Sequence, residues 1–381
     1  MKQVSTSILQ GRLFDCLVIA TMMLWMTALS GCEKKAPIKI GFVGNLTGRL
    51  SLLGTGGRDG TTLAVENINK TGGILGRKVE LIVKDDRNDP EVVWQVDQEL
   101  IDKKVVAIIG HMLSDMSLQA LPLINQEQMV MISPTSTSNS LTGLDDYFFR
   151  IALPDKRQTD QLAQYAYHQI PLKKIAGIYD QSNQSFTEGW YHNFQSAYKK
   201  NGGMVTSTVT FTSGEKASYF SFAQQLLNSK PDGVVIVASA LDTALLCQQI
   251  RKLGSRIPIL SSGWAKAPDL LQHGGSAVEG LTLPQTHNEE NPTESYLLFT
   301  KQFEKRFGKL PNFAAAGAYD AAQLLFETLS KNSDPNQLKQ SLLTQHMFQG
   351  LQGEINIDQY GDAERQTFLI QVNHGQFKTI E

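Results

Sequence analysis

The sequence predicts an α/β protein of two lobes, each a parallel sheet covered on both faces by helices. Three observations predict it. From Ile38 onward, short and nearly continuous apolar segments alternate with segments of helical periodicity, which is the pattern of parallel strands buried on both faces. The alternation restarts at Asp155 and runs through a second time. The chain has 381 residues, more than one ordinary core holds, since domains run roughly 100–200 residues.

In the first half, Ile38 to Val43 is an apolar strand. Thr55 to Lys70 has helical spacing through Leu63, Val65 and Ile68, and Lys78 to Lys84 puts Val79, Leu81 and Val83 on one face of a second strand. Pro90 opens a helix that runs to Lys103, as proline does at a first helical position. Val105 to Gly110 is a buried-type strand, Asp115 to Gln128 a helix and Val130 to Ile132 a short strand. In the second half, helices over Asp155–Gln169, Phe186–Asn201, Ala217–Ser229 and Leu241–Leu253 alternate with strands over Lys174–Tyr179, Met204–Phe211, Gly233–Val237 and Ile257–Leu260. After Gly280 the order changes. Thr286 to Pro292 is a polar loop, and Glu294–Phe307 and Phe313–Ser330 are helices with no strong strand between them, which places them back over the first lobe. The tail adds small strands at Phe368–Val372 and Phe377–Ile380. A chain that crosses more than once between lobes makes a hinge of several strands.

Composition narrows the function. Hydrophobic residues make up 41% and charged residues 19%, with a net charge of −2; this is a globular chain without the basic footprint of a nucleic-acid binder. Lys2 and Arg12 precede an apolar run from Leu17 to Leu29, broken by Thr21 and Thr27. That run suits a signal peptide and falls short of the ~20 residues of a spanning helix. It ends in Leu29-Ser30-Gly31-Cys32, which resembles a bacterial lipobox. The resemblance implies cleavage after residue 31 and diacylation of Cys32, with residues 32–37 as a tether; a plain secretory signal is the alternative. Acyl chains hold at ~0.8 kcal/mol per buried CH2, so two anchor firmly. Glu33 stands where an Asp would by rule retain a lipoprotein in the inner membrane, so outer-membrane sorting is open. Of 3 cysteines, this leaves Cys247 in an apolar helical stretch, a buried thiol with no disulfide partner. The 7 histidines form no metal-binding pattern, and no cofactor is expected.

A set of short motifs carries a more specific resemblance. Ile40-Gly41-Phe42-Val43 with Thr47-Gly48 and Gly54 comes first, followed by Gly72-Gly73-Ile74-Leu75-Gly76-Arg77-Lys78-Val79, Asp85-Asp86 and Asp89-Pro90. Then come Gly110 with Ser114, Ile132-Ser133-Pro134, Phe149-Arg150, Gly189-Trp190, Pro231-Asp232, Glu279-Gly280 and Ala318-Tyr319-Asp320-Ala321. Together they resemble the branched-chain amino-acid (Leu/Ile/Val) type of periplasmic binding protein of ABC transporters. The resemblance implies two Rossmann-like lobes joined by three crossovers, with ligand trapped in the cleft between them. Residues 38–154 with 285–361 then form lobe 1, and 155–284 with 362–381 form lobe 2.

Candidate site residues follow from the residues and the resemblance together. Gly110 ends a parallel strand and Ser114 precedes the next helix. Ligands of open α/β sheets bind beyond such strand ends, and free N–H groups at a helix start favour an anion; Ser114 as a plain N-cap is the competing reading. The resemblance puts the ligand carboxylate also on the loop Ser133 to Thr137, with Thr135 offering backbone and Thr137 its hydroxyl. It places cleft aromatics at Phe186 and near Tyr319, for which simple core packing is the competing reading, while Trp264 stacks on a flat ligand or packs in the core. Asp85-Asp86 read as a solvated strand end or a cap, Asp320 as structural, and Gly54 to Gly57 as a turn. The sequence departs from the leucine-type pattern near Gly263, where the acid that pairs with the ligand ammonium is expected. An early cleft aromatic is replaced near Leu53, and another aromatic pair by Ser239-Ala240. Asp242 or Glu188 are the candidates to supply the missing charge.

The expectation is an extracytoplasmic receptor of an ABC importer. It binds a small carboxylate-bearing molecule other than leucine, works with a membrane permease, is lipid-anchored on the periplasmic side of the cell envelope, and is a monomer without nucleic-acid or metal partners. The alternative is a sensor or protein-contact lipoprotein of the same fold. No Ser-His-Asp order, G-x-S-x-G, P-loop or dinucleotide motif suggests an enzyme.

Overall fold

The computed structural model describes residues 35–380 except Glu215. The signal segment and Cys32 therefore lie outside the described residues. Among the described residues no helix is long and apolar enough to cross a membrane.

The first sheet is built from β1 (Ile38–Gly44), β2 (Val79–Asp85), β3 (Ile108–Ile109), β4 (Met131–Ser133) and β5 (Phe148–Arg150), in the order β2-β1-β3-β4-β5. All four pairings are parallel. Three helices connect them: α1 (Ser51–Lys70), α2 (Pro90–Asp102) and α3 (Ser114–Gln126). Asp89 caps α2 by accepting from the Glu91 N–H, with Pro90 in the first turn, the arrangement its spacing predicts.

The second sheet is built from β6 (Lys174–Asp180), β7 (Met204–Phe211), β8 (Gly233–Val237), β9 (Ile259–Ser261) and β10 (Thr282–Gln285). Helices α4 (Asp155–Gln164), α5 (Gln184–Lys200), α6 (Tyr219–Asn228), α7 (Ala240–Lys252) and α8 (Pro268–Gly274) belong to this lobe. β7, β6, β8, β9 and β10 pair in parallel. Every residue of β8 is buried, as a central parallel strand requires, whereas the edge strand β7 alternates between exposed and covered positions.

The chain then returns to the first lobe. α9 (Glu294–Phe307) and α10 (Phe313–Lys331) pack against α1, and α11 (Leu338–Gln345) packs against α10. A small antiparallel sheet follows, of β11 (Met347–Gly350), β12 (Gly353–Ile357) and β13 (Ala363–Glu364). β14 (Phe368–Asn373) and β15 (Gln376–Thr379) close the second sheet, β14 running antiparallel to β10. The chain thus passes between lobes three times, at residues 151–154, 286–293 and 365–367.

Two readings of the sequence need correction. Gly54 to Gly57 is not a turn but the first half of α1. These glycines let neighbours close in: a Cβ at Gly56 would lie 2.5 Å from the Asn312 side chain, and one at Gly60 would lie 2.1 Å from the Ala315 carbonyl oxygen. Asp86 is not solvated. It is 1% exposed and bonds His111 Nδ1 at 2.8 Å.

Candidate functional site

Strands buried on both faces offer functional groups only at their ends, and a cavity is lined from those ends. It spans about 780 Å3 of non-atom space, part of it open to solvent. Leu53 follows β1, Met112 and Ser114 follow β3, Pro134, Thr135 and Thr137 follow β4, and Ala152 and Leu153 follow β5. From the other lobe, Asn183 and Phe186 follow β6, Gly263 and Trp264 follow β9, and Thr286 follows β10.

The lobes meet on either side of this cavity. Arg49 of the first lobe donates to Asp242 Oδ1 at 2.7 Å, to Ser213 Oγ at 2.9 Å and to the Tyr219 hydroxyl at 3.0 Å. Asp115, at the start of α3, accepts from the N–H groups of Gln184 and Ser185 at the start of α5, each at 2.8 Å. Ser138 donates to the Ser185 carbonyl at 2.7 Å.

At the start of α3 the Ser114 hydroxyl oxygen accepts from the Thr137 and Ser138 N–H groups at 3.3 and 3.4 Å. These bonds use its oxygen and leave its proton for the cavity. The Thr135 hydroxyl is committed to the Met112 carbonyl, so only its backbone faces outward. The Thr137 hydroxyl bonds the Asp155 carboxyl, which is fully enclosed; burial pushes this acid up to about 8, against the pull of Thr137 and Arg150. Its Oδ2 has no partner. Arg150 does not neutralise it directly, being committed to Asp362 at 2.7 Å and to the Ser138 carbonyl at 3.0 Å.

Sequence reasoning missed the group beneath this loop. His111 is fully buried between Asp86 at 2.8 Å and Asp97 at 3.2 Å. Burial resists its charge, but the charges and hydrogen bonds of Asp97 and Asp86 prevail and raise it to about 10. Its carbonyl accepts from Ser133 at 2.7 Å and from Ser117 and Ser136 at 3.4 Å. A buried ion trio thereby fixes the loop that carries Thr135 and Thr137.

The apolar wall is Phe186 and Trp264, packed edge to face with centroids 5.8 Å apart at 82°, together with Trp190, Phe313, Leu53 and Pro134. Two predicted residues lie elsewhere. Tyr319 is not in the lining; its ring packs on Phe299 at 4.9 Å and its hydroxyl meets Asn67 and Gln323. Asp242 is taken up by the Arg49 contact. Burial pushes it up, but hydrogen bonds from Ser239, Tyr219, Arg49 and Ser213 hold its carboxyl below the ordinary value. Glu188, also outside the lining, accepts from Tyr179 and Gln184. At Gly263 a Cβ would lie 2.7 Å from the Pro284 carbonyl oxygen, and Gln285 donates to the Gly263 carbonyl at 3.1 Å. An acidic side chain there would force a rearrangement. The carboxylates that do line the cavity are Asp155 and Asp320.

The remaining lining groups sit at or beside the hinge, and sequence reasoning did not find them: Gln158, Gln285, His287, Gln352 and Arg365. They come from separate segments, and no local motif joins them.

A cleft between two hinged α/β lobes, lined by strand ends from both, is the architecture of a two-lobed solute receptor. The chain belongs to the periplasmic binding protein family, whose profile matches residues 37–376. It is 23% identical over 365 residues to the leucine-, isoleucine-, valine-, threonine- and alanine-binding protein of Pseudomonas aeruginosa, covering 94% of each chain. A leucine-binding protein from Thermotoga maritima superposes with a TM-score of 0.83 at 27% identity, over 90% of this chain and 98% of that one. An ABC-transporter solute-binding protein from Rhodopseudomonas palustris, solved with 3,4-dihydroxybenzoic acid, gives 0.80 at 24% identity over 91% and 96%. Among the described residues there is no cluster able to hold a metal ion.

The raised Asp155 makes stability fall with pH. The unfolded chain releases this proton near 3.8 and the folded chain near 8. Below the lower value Asp155 has no effect; between the two the unfolded state loses a proton that the folded state keeps, at up to ~1.4 kcal/mol per pH unit. Urea unfolding of the protein and of Asp155→Asn at pH 5 and pH 8 measures this. The variant should gain stability relative to the parent as pH rises, and parallel pH profiles would refute the assignment.

Proposed function

We propose that this protein is the receptor of an ABC importer and that it binds a small carboxylic acid in the cleft by closure of the hinge. The observation that supports this reading most is the cradle at the start of α3. Ser114 presents a free hydroxyl proton, Thr137 lies beside it, and both open into a cavity walled by Phe186 and Trp264. Helix-start N–H groups and hydroxyl donors together favour an anion. The Thr137 hydroxyl is shared between this cavity and the Asp155 carboxyl that it bonds.

The rest of the reading follows the same site. An acidic partner at Gly263 is missing and sterically opposed, so leucine is disfavoured, because its ammonium would be buried without that partner. The flat apolar wall suits an aromatic or compact aliphatic acid, the kind of molecule bound in the R. palustris relative. Trp264 and Phe186 grip its body, and Thr135 offers backbone. The lobes divide at the three crossings, residues 151–154, 286–293 and 365–367, so the third boundary falls after β13 and not at residue 361. Cys32 carries the lipid anchor that keeps the monomeric receptor beside its permease on the periplasmic side of the envelope.

Two experiments test this. A thermal-shift screen against amino acids, aromatic acids, short aliphatic acids and amides should find one carboxylate class that stabilises the protein. At ~100 times the dissociation constant the gain is about 2.7 kcal/mol. Ser114→Ala and Thr137→Val should each weaken that ligand by roughly tenfold, about 1.4 kcal/mol. A shift by leucine, or none across the panel, would contradict the reading, and the second result would favour a protein-contact role. For the anchor, intact-mass analysis of membrane-extracted protein should show a chain beginning at a diacylated Cys32; an unmodified mature N-terminus would rule it out.

A further inference from the structure

The hinge floor of the cavity carries polar groups that the carboxylate cradle does not use. Asp320 comes from α10 and spends Oδ1 on the Leu351 N–H at 2.9 Å; its Oδ2 has no hydrogen-bond partner. Gln352, the next residue, accepts on Oε1 from the Asn288 N–H and the Asn291 amide at 3.1 and 3.2 Å. Its orientation is thereby fixed, and the Nε2 donor is left unpartnered. His287, from the second crossing, meets the Tyr296 hydroxyl through Nε2 at 3.1 Å, and its Nδ1 is unpartnered. Arg365, from the third crossing, lies 3.8 Å from Asp320 Oδ2 and donates to the Ile151 carbonyl at 3.4 Å. Asp320, His287 and Gln352 are 1%, 3% and 7% exposed, and all four residues line the cavity. Buried polar atoms are ordinarily satisfied; these three have no protein partner and belong to residues that line one cavity, where a ligand group can pair them.

We infer that Asp320, His287, Gln352 and Arg365 form a second ligand subsite, which takes an uncharged group that both donates and accepts hydrogen bonds, a hydroxyl or a carboxamide, on the same molecule whose carboxylate sits at Ser114 and Thr137. The inference rests on the proposed carboxylate cradle and adds to it what the other end of the ligand carries.

The chemistry selects the group by elimination. Gln352 Nε2 and the guanidinium are donors and require an acceptor. Asp320 Oδ2 is an acceptor when ionised and requires a donor. Burial pushes Asp320 up to about 6, with the Arg365 charge pulling it down, so at neutral pH it is mostly ionised. A second carboxylate would supply two acceptors and confront Asp320. An ammonium would confront Arg365. A methyl or unsubstituted ring would leave all four groups without partners. A hydroxyl or carboxamide satisfies both kinds at once. Burial, with the charges of Lys266 and Arg365, keeps His287 well below its ordinary value and hence neutral, so it serves as donor or acceptor according to tautomer. The subsite draws on other segments than the cradle: Ser114 and Thr137 follow β3 and β4, whereas Asp320 lies on α10, Gln352 between β11 and β12, and His287 and Arg365 on the crossings. Because it joins lobe 1 to two crossings, a ligand group held there also ties the hinge.

Isothermal titration of the protein with isosteric acids tests this. The aromatic set is 4-hydroxybenzoate against 4-methylbenzoate, and 4-carbamoylbenzoate against terephthalate; the aliphatic set is succinamate against succinate. In at least one set the hydroxy or carbamoyl acid should bind at least about tenfold tighter than its isostere, as sites that read a hydroxyl or amide do. Asp320→Asn keeps an oxygen for the Leu351 N–H and turns the free atom into a donor. It should shift the preference at least about tenfold toward the dicarboxylate, while melting as the parent does. Equal affinities for isosteres, or a preference unmoved by Asp320→Asn, would overturn the subsite. If Ser114→Ala still weakened every acid, the cradle would stand without it. No binding by any acid in either set would overturn both.

Discussion

A parallel strand covered on both faces has no free side along its length, so whatever it contributes to function must come from where it ends. That constraint organises this molecule. β1, β3, β4 and β5 of one lobe and β6, β9 and β10 of the other send the chain past their carboxyl ends into the same cavity. Three crossings let two such sheets face each other while each keeps its own core. The cavity is thus a consequence of topology, and the residues following each strand decide what it holds.

Charge buried around the cavity makes these ends rigid. The Asp86–His111–Asp97 trio lies under the loops that carry Ser114 and Thr137, and its mutual attraction offsets the desolvation of three ionisable groups. Removing one partner would leave an uncompensated charge. Asp155 meets burial the other way, by keeping its proton. A neutral acid beside the cradle leaves an anion there free of the repulsion that an ionised one would exert. Across the cleft, Arg49 with Asp242 and Asp115 with the start of α5 hold the lobes together through exposed and half-buried contacts. Such contacts are weak enough to form and break with closure.

Much of the fold was legible because its signals are local. Strands such as Gly233–Val237 are unbroken apolar runs, and the helix at Pro90 announces itself by its proline. What escaped has a physical reason. β10 contains Pro284 and spans four residues, so it carries no strand pattern. β11 to β13 alternate weakly over two to five residues. The glycines of α1 imitate a turn because the neighbours that crowd them, Asn45, Met112, Asn312 and Ala315, come from other segments of the chain. The candidate site divides in the same way. Ser114, Thr135, Thr137, Phe186 and Trp264 sit directly after strands and line the cavity, as a reader of strand ends would place them. Tyr319 and Asp242 were placed from motif position and side-chain type, and packing turned them elsewhere. His111, His287, Gln352 and Arg365 meet only in three dimensions.

Receptor function through this site requires the cleft to close over a carboxylic acid. Small-angle X-ray scattering with and without a saturating acid from the binding screen tests it most directly. The expected result is a wider particle without ligand and a smaller radius of gyration with it. Identical curves in the two conditions, with binding verified in the same sample, would contradict it.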